Sequence, residues 1–224
     1  MTVVDINTLG VLYMLSADDS ITSISDLAGK TIVTTGKGNT PEWILRYLLE
    51  ANGVSEDDVT VEYASEATEA LALLASGTAQ IGMLPQPFVT AALAQNESLK
   101  VVLNMTEEWT KVNPDSQLCT GVTVVRTAFL EEHPGAVATF LKEHAESAEY
   151  ANGSPVETAE LVVNAGIIEK APIAEKAIPN CNIVCISGDE MKADLSGYLQ
   201  VLYDLEPSSV GGKLPEDGFY YGAK

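Results

Sequence analysis

Between Thr31 and Leu103 the spacing of apolar residues switches repeatedly between alternation and a three-to-four-residue recurrence, which predicts strands interleaved with helices. Thr31-Ile32-Val33-Thr34-Thr35 is a β-branched run closed by Gly36 and Gly38, the pattern of a strand and its exit loop. A helix should follow. Thr40 suits an N-cap, Pro41 the first helical position and Glu42 the positive end of the dipole. Ile44, Leu45, Leu48 and Leu49 then recur on one face until Gly53 stops the helix. Val59 to Tyr63 alternates as a half-buried strand, and Glu66 to Ser76 carries Leu71, Leu74 and Ala75 on a helical face ended by Gly77. Ala79 to Leu84 predicts a third strand, broken by Pro85-Gln86-Pro87; Phe88 to Gln95 predicts a helix and Lys100 to Leu103 a fourth strand. Strands joined by helices pair in parallel through right-handed crossovers, so this region reads as a doubly wound α/β sheet with helices on both faces.

The flanking segments differ. Val3 to Ile6 predicts a strand before this unit, and Gly121 to Val125 one after it, with Asn104 to Gln117 as a polar loop around Trp109. Beyond Arg126 the pattern is helical over Ala128 to Ala151, Val156 to Ala165, Ile173 to Ala177 and Met191 to Asp204, with Ile183 to Ile186 as the strand among them. A compact α/β unit flanked by two strands, with helices left over, implies two lobes joined by two chain crossings. The expected division is residues 25–120 as a complete α/β lobe, and residues 1–24 with 121–224 as a partial lobe carrying the C-terminal helices. Neither repeats nor low-complexity segments interrupt the pattern.

Composition narrows the partners. Apolar residues make up 46% of the 224 and charged residues 20%, the balance of a folded globular chain. Twelve Lys+Arg against thirty-two Asp+Glu leave a formal charge of −20, which argues strongly against duplex DNA or RNA as a partner and disfavours an anionic membrane surface. No apolar run reaches the roughly 18 residues a spanning helix needs. Met1 leads directly into Val3-Val4-Asp5-Ile6, without the basic and apolar regions of a signal peptide. Cys119, Cys181 and Cys185 are too few, and odd in number, for a disulfide framework. In an extended segment Cys181 and Cys185 would stand roughly 13 Å apart, beyond bridging distance. All three read as small buried residues.

The strongest chemical signal is Thr34-Thr35-Gly36-Lys37-Gly38-Asn39-Thr40-Pro41, a strand end passing through glycines into a capped helix N-terminus. Free backbone amides there favour a carboxylate, phosphate, sulfonate or other acceptor, and in open α/β sheets ligands sit outside the carboxyl ends of the strands. The P-loop and dinucleotide spacings are absent. Thr35, Gly36, Lys37, Gly38, Asn39 and Thr40 are therefore candidate ligand-binding residues, with an ordinary glycine-rich connection as the alternative. Gln86, between two prolines at the end of the third strand, presents an amide able to donate and accept; a rigid turn explains it equally well. Asn7 and Thr8 follow the first strand and Thr120 enters the return strand, where crossings would border a cleft, with surface turns as the alternative.

Catalysis has little support. His133 and His144 read as solvated, no nucleophile elbow or zinc spacing occurs, and no cofactor is implied. The two arginines, Arg46 and Arg126, lie outside the candidate loops, so no guanidinium clamp on a strong anion is expected. The negative field favours a neutral, zwitterionic or cationic ligand.

Several segments together resemble the substrate-binding proteins of ABC importers, in the branch related to thiamine-precursor, nitrate, sulfonate and taurine binding. They are Ser25-Asp26-Leu27-Ala28-Gly29-Lys30-Thr31-Ile32, the Gly36 to Pro41 loop, Ala75-Ser76-Gly77, Leu84-Pro85-Gln86-Pro87-Phe88 and the tail from Ser209 to Tyr221. The resemblance implies a type II periplasmic-binding-protein fold, in which two α/β lobes close on a small-molecule ligand without bond-making. It further implies an ABC permease as membrane partner and an extracytoplasmic location for the full-length family member. Members begin with a signal sequence and further strands of lobe one, so this chain is expected to be N-terminally truncated, with lobe one incomplete. Uncovered helix faces would then promote a homodimer. Two rival readings share the architecture: an enzyme resembling pyrimidine synthases, whose cysteine-rich motif the three scattered cysteines do not reproduce, and a ligand-sensing effector domain, which would need a helix-turn-helix segment.

Overall fold

The computed structural model describes residues 1–223. In chain order its strands and helices are β1 (Thr2–Leu9), β2 (Leu12–Ser16), β3 (Thr31–Thr34), α1 (Thr40–Ala51), β4 (Thr60–Tyr63), α2 (Ala67–Ala75), β5 (Ile81–Pro85), α3 (Phe88–Gln95), β6 (Lys100–Asn104), α4 (Met105–Val112) and β7 (Cys119–Val125). They continue with α5 (Thr127–Glu132), α6 (Pro134–Gly153), α7 (Pro155–Asn164), α8 (Ala171–Ala177), β8 (Ile183–Ile186) and α9 (Gly188–Leu205). Contacts divide the chain into two compact units: Val11–Pro114, and Met1–Gly10 together with the chain from Asp115 onward. No described helix is long and apolar enough to cross a membrane.

The Val11–Pro114 unit is built on a five-stranded sheet in the order β4-β3-β5-β2-β6. β3 runs parallel to both β4 and β5, as strands joined by helical crossovers must. β2 departs from the purely parallel expectation. It lies between β5 and β6 and is antiparallel to both, so β6 reaches the sheet through β2. All five residues of β2 are buried, which erases the alternation that marks a strand with one wet face. Residues 11–24, expected with the other lobe, therefore belong here, and the boundary falls at Gly10.

Tyr13, Leu15, Val33 and Leu84 pack with Ala70 and Leu74 of α2 and Val89 and Ala92 of α3 to form the core on one face. In α1, the fully buried Ile44, Leu45, Leu48 and Leu49 each stabilise the unit by about 2 kcal/mol through burial. The helix begins at Thr40 with Asn39, not Thr40, as its N-cap residue. The stretch expected as a loop around Trp109 is helix α4. The Asn104 side chain caps it by accepting from the Thr106 N–H at 3.0 Å. Met105 and Trp109 are fully buried on its inner face, and Trp109 meets the Tyr47 ring of α1 with centroids 4.9 Å apart. Polar residues on the outer face hid the helical period.

The other unit carries a three-stranded antiparallel sheet in the order β7-β1-β8, with Thr8 opposite Gly121 and Ile6 opposite Ile186. α6 packs on β8, α9 on β1 and β7, and α7 on α8. The long helix expected from Ala128 is two, because Pro134 cannot continue α5 and opens α6 instead. Val4, Val124, Phe129, Val137 and Phe140 line an apolar groove of about 330 Å³ beside β7.

Candidate functional site

Because β3, β4 and β5 point the same way, their carboxyl ends at Thr34, Tyr63 and Pro85 share one edge of the sheet. β2 runs oppositely, so its entry at Val11 shares that edge: the Gln86 N–H donates to the Val11 carbonyl at 3.0 Å. The loop from Thr35 to Asn39 rises between β3 and α1. Lys37, Gly38 and Asn39 are exposed, and Thr35, Gly36 and Thr40 half-buried.

The loop's shape is set by its glycines. Gly36 has φ 79° and Gly38 φ 76°, the left-handed region that side chains avoid. A Cβ on Gly36 would also come within 2.9 Å of the Pro41 ring. In this turn the Asn39 N–H donates to the Gly36 carbonyl at 2.9 Å, and the Gly38 N–H to Glu42 Oε2 at 2.5 Å. The amides of Gly36 and Lys37 have no partner among the described residues and remain available to an acceptor.

Two residues outside the expected ligand-binding set complete the loop. Glu42, on the first turn of α1, holds the Gly38 amide and lies close to Tyr63 at the end of β4. Burial, reinforced by the nearby Glu42 carboxylate, pushes the Tyr63 phenol up to about 12, so it stays a neutral donor. The Lys37 ammonium lies over the Tyr63 ring, 5.7 Å from its centroid. An ammonium, a carboxylate, a phenol and two open amides thus stand together. Glu42 at a helix N-terminus is a common sequence signal, but its pairing with Tyr63 joins residues on different elements. No local spacing reports it.

Gln86 sits one strand away, half-buried, with a cis peptide to Pro87. Its amide oxygen accepts from the first turn of α3, through the Thr90 hydroxyl and N–H, so its contribution to a ligand is narrowed from donor and acceptor to the NH2 group.

Asn7, Thr8 and Thr120 lie in the other unit. Asn7 and Thr8 are inside β1 instead of following it. Their side chains pair with each other, Thr8 Oγ1 donating to Asn7 Oδ1 at 2.8 Å, while Asn7 Nδ2 donates to Thr123 at 3.1 Å. Across the ladder, Gly121 leaves room for them: a Cβ there would stand 2.4 Å from Asn7 Oδ1. Thr120 is exposed on β7. All three cysteines belong to this unit as well, and burial, then the charge of Asp194, raises the Cys119 thiol to about 12, a poor nucleophile.

A separate cavity of about 460 Å³ lies at the opposite edge of the five-stranded sheet, where Thr31 opens β3 and Ile81 opens β5. Asp18 and Lys30 on its wall neutralise each other at 2.9 Å. Ligands of open α/β sheets bind at the other, carboxyl edge, which favours the Lys37 loop over this cavity.

The model of the family described as NMT1/THI5 like matches residues 1–158. The chain belongs to this family. Among solved structures, an ABC transporter from Parabacteroides distasonis shares the fold of this NMT1/THI5 like chain with a TM-score of 0.81 and 25% identity, over 98% of this chain and 73% of that one. The periplasmic aliphatic sulphonate binding protein SsuA from Escherichia coli follows at TM-score 0.70 and 15% identity, over 96% and 69% of the two chains. The desulfurization enzyme DSZB aligns at TM-score 0.59 and 15% identity, over 96% and 76%. No curated protein matches the chain. The α/β architecture is thus the one found in periplasmic binding proteins, as the segments from Ser25 onward led us to expect.

Proposed function

We propose that this chain is the solute-binding component of an ABC importer, capturing a small polar metabolite at the Lys37 loop without making or breaking bonds. The observation that carries the reading is the cluster at the carboxyl edge of β3 and β4: the open amides of Gly36 and Lys37 beside the Lys37 ammonium, with Glu42 and Tyr63 adjoining. The family membership and the fold shared with ABC-transporter binding proteins support a binding role. In this reading Thr35, Gly38, Asn39 and Thr40 shape the loop and Gln86 adds its NH2 group. Docking to a membrane permease and an extracytoplasmic location follow from the transport role, and a homodimer would cover the apolar groove beside β7.

The mixed charge of the cluster argues for a zwitterion. Open amides and Lys37 suit a sulfonate or carboxylate, while Glu42 suits the ligand's cationic group and repels a plain dianion. Calorimetric titration with an amino-sulfonate, a plain alkanesulfonate, a thiamine-precursor pyrimidine and a neutral polyol tests this. Saturable one-to-one binding is expected, strongest for the amino-sulfonate. Silence across the panel would remove the transport reading.

The likeness to DSZB motivates the rival, an enzyme of the same fold. Depletion of any of these compounds on prolonged incubation would favour it.

A further inference from the structure

Asp5, at the centre of β1, is a fully buried carboxylate in the unit that does not contain the Lys37 loop. Its Oδ2 lies 2.9 Å from Nδ1 of His144 on α6 and 3.9 Å from Sγ of Cys185 on β8. Its other oxygen, Oδ1, is buried with no hydrogen-bond partner. His144, expected from the sequence to be solvated, is mostly covered; its ring stacks on Phe140 with centroids 5.4 Å apart. A carboxylate, an imidazole and a thiol from three elements therefore converge with donor atoms within 4.8 Å of one another, and the second oxygen of the carboxylate is left unsatisfied by protein groups.

We propose that Asp5, His144 and Cys185 form a binding site for a divalent transition-metal cation of the zinc class. Thiolate with imidazole selects a borderline ion over magnesium or calcium, which take oxygen ligands in larger number. Bond lengths of about 2.0–2.3 Å to a tetrahedral ion place its ligand atoms roughly 3.5 Å apart. The sulfur-to-oxygen spacing of 3.9 Å is close to that, and the His144–Asp5 pair opens by roughly half an ångström to admit the ion. Coordination breaks the Cys185 S–H bond and releases that proton to solvent; a proton on Nδ1 of His144 moves to Nε2. The ion's two positive charges then balance one carboxylate and one thiolate, and a water molecule takes the open fourth position. The strongly acidic chain favours the approach of a cation, and the ion would tie β1, α6 and β8 together.

Cobalt(II) titration of the whole chain tests this by absorption. The expected result is one equivalent bound, with a near-ultraviolet thiolate charge-transfer band and visible bands of tetrahedral intensity. Cys185→Ser removes the charge-transfer band and weakens binding at least tenfold, Asp5→Asn weakens binding similarly, and Cys181→Ser changes neither. Absence of the band in the unsubstituted chain, or its survival in Cys185→Ser, overturns the proposal. A second measurement needs no variant. One equivalent of zinc should protect Cys185, read by peptide mass spectrometry, from iodoacetamide, and unchanged alkylation overturns the site.

Discussion

The Thr90 hydroxyl donates to the Gln86 amide oxygen at 2.8 Å, and the Thr90 backbone N–H reaches the same oxygen at 3.3 Å. A residue at the rim of the sheet thus caps the first turn of α3 with its oxygen and keeps only its NH2 group for a ligand. Thr90→Ala removes a buried donor and should cost about 1 kcal/mol in urea unfolding. Gln86→Glu keeps an acceptor at the cap, so stability should stay within about 0.5 kcal/mol of the parent. The same change removes the donor and should weaken metabolite binding about tenfold, read by calorimetry.

A second expectation concerns acid. Asp26 Oδ2 accepts from the Thr22 and Ser23 amides, at 2.9 Å each, and from both hydroxyls. The Thr22 amide foremost, then the Ser23 and Thr22 hydroxyls, hold this carboxyl below its ordinary range. A depressed folded-state pKa stabilises fully above the unfolded value of about 3.9 and loses that contribution as pH falls through the folded value. The urea midpoint should therefore fall below about pH 4, and Asp26→Asn should flatten that fall. Asp194 has the opposite sign: burial, then the Glu190 charge, raises its pKa, so ionisation opposes folding as pH rises past about 4. Asp194→Asn should raise the midpoint at neutral pH.

Packing gives a third test. Gly82, the second residue of β5, has Leu74 Cδ1 at 2.6 Å and Val33 Cγ1 at 2.9 Å from where a Cβ would sit. Gly82→Ala overpacks that core and should lose about 1–3 kcal/mol. Trp109→Ala empties the contact between α4 and α1 and should lose about 3–5 kcal/mol. Both losses are read as shifts in the urea midpoint of the Val11–Pro114 unit.

How legible these features were depended on whether their cause was local. The strands from Thr31 to Thr34 and from Ile183 to Ile186, and helix α1, announce themselves through β-branched runs, a proline in the first turn and a four-leucine-type stripe at Ile44, Leu45, Leu48 and Leu49. β2 did not, because burial on both faces makes Leu12 to Leu15 a uniform apolar run. α4 did not, because Thr106, Glu107, Thr110 and Lys111 outweigh the two residues that anchor it. At the loop, Gly36, Gly38 and Pro41 were readable from their special backbone needs. Glu42 and Tyr63, and equally Asp5, His144 and Cys185, are brought together only by tertiary folding, and their separations in sequence carry no trace of it.

The most direct test of the account is an amide-resolved nuclear magnetic resonance titration of the 15N-labelled chain with the tightest-binding metabolite of the calorimetric panel. Acceptance of hydrogen bonds by the ligand should move the Gly36 and Lys37 amide signals furthest and saturably, with the Gln86 side-chain NH2 moving alongside. Saturable binding that leaves those signals in place and shifts resonances elsewhere would contradict it.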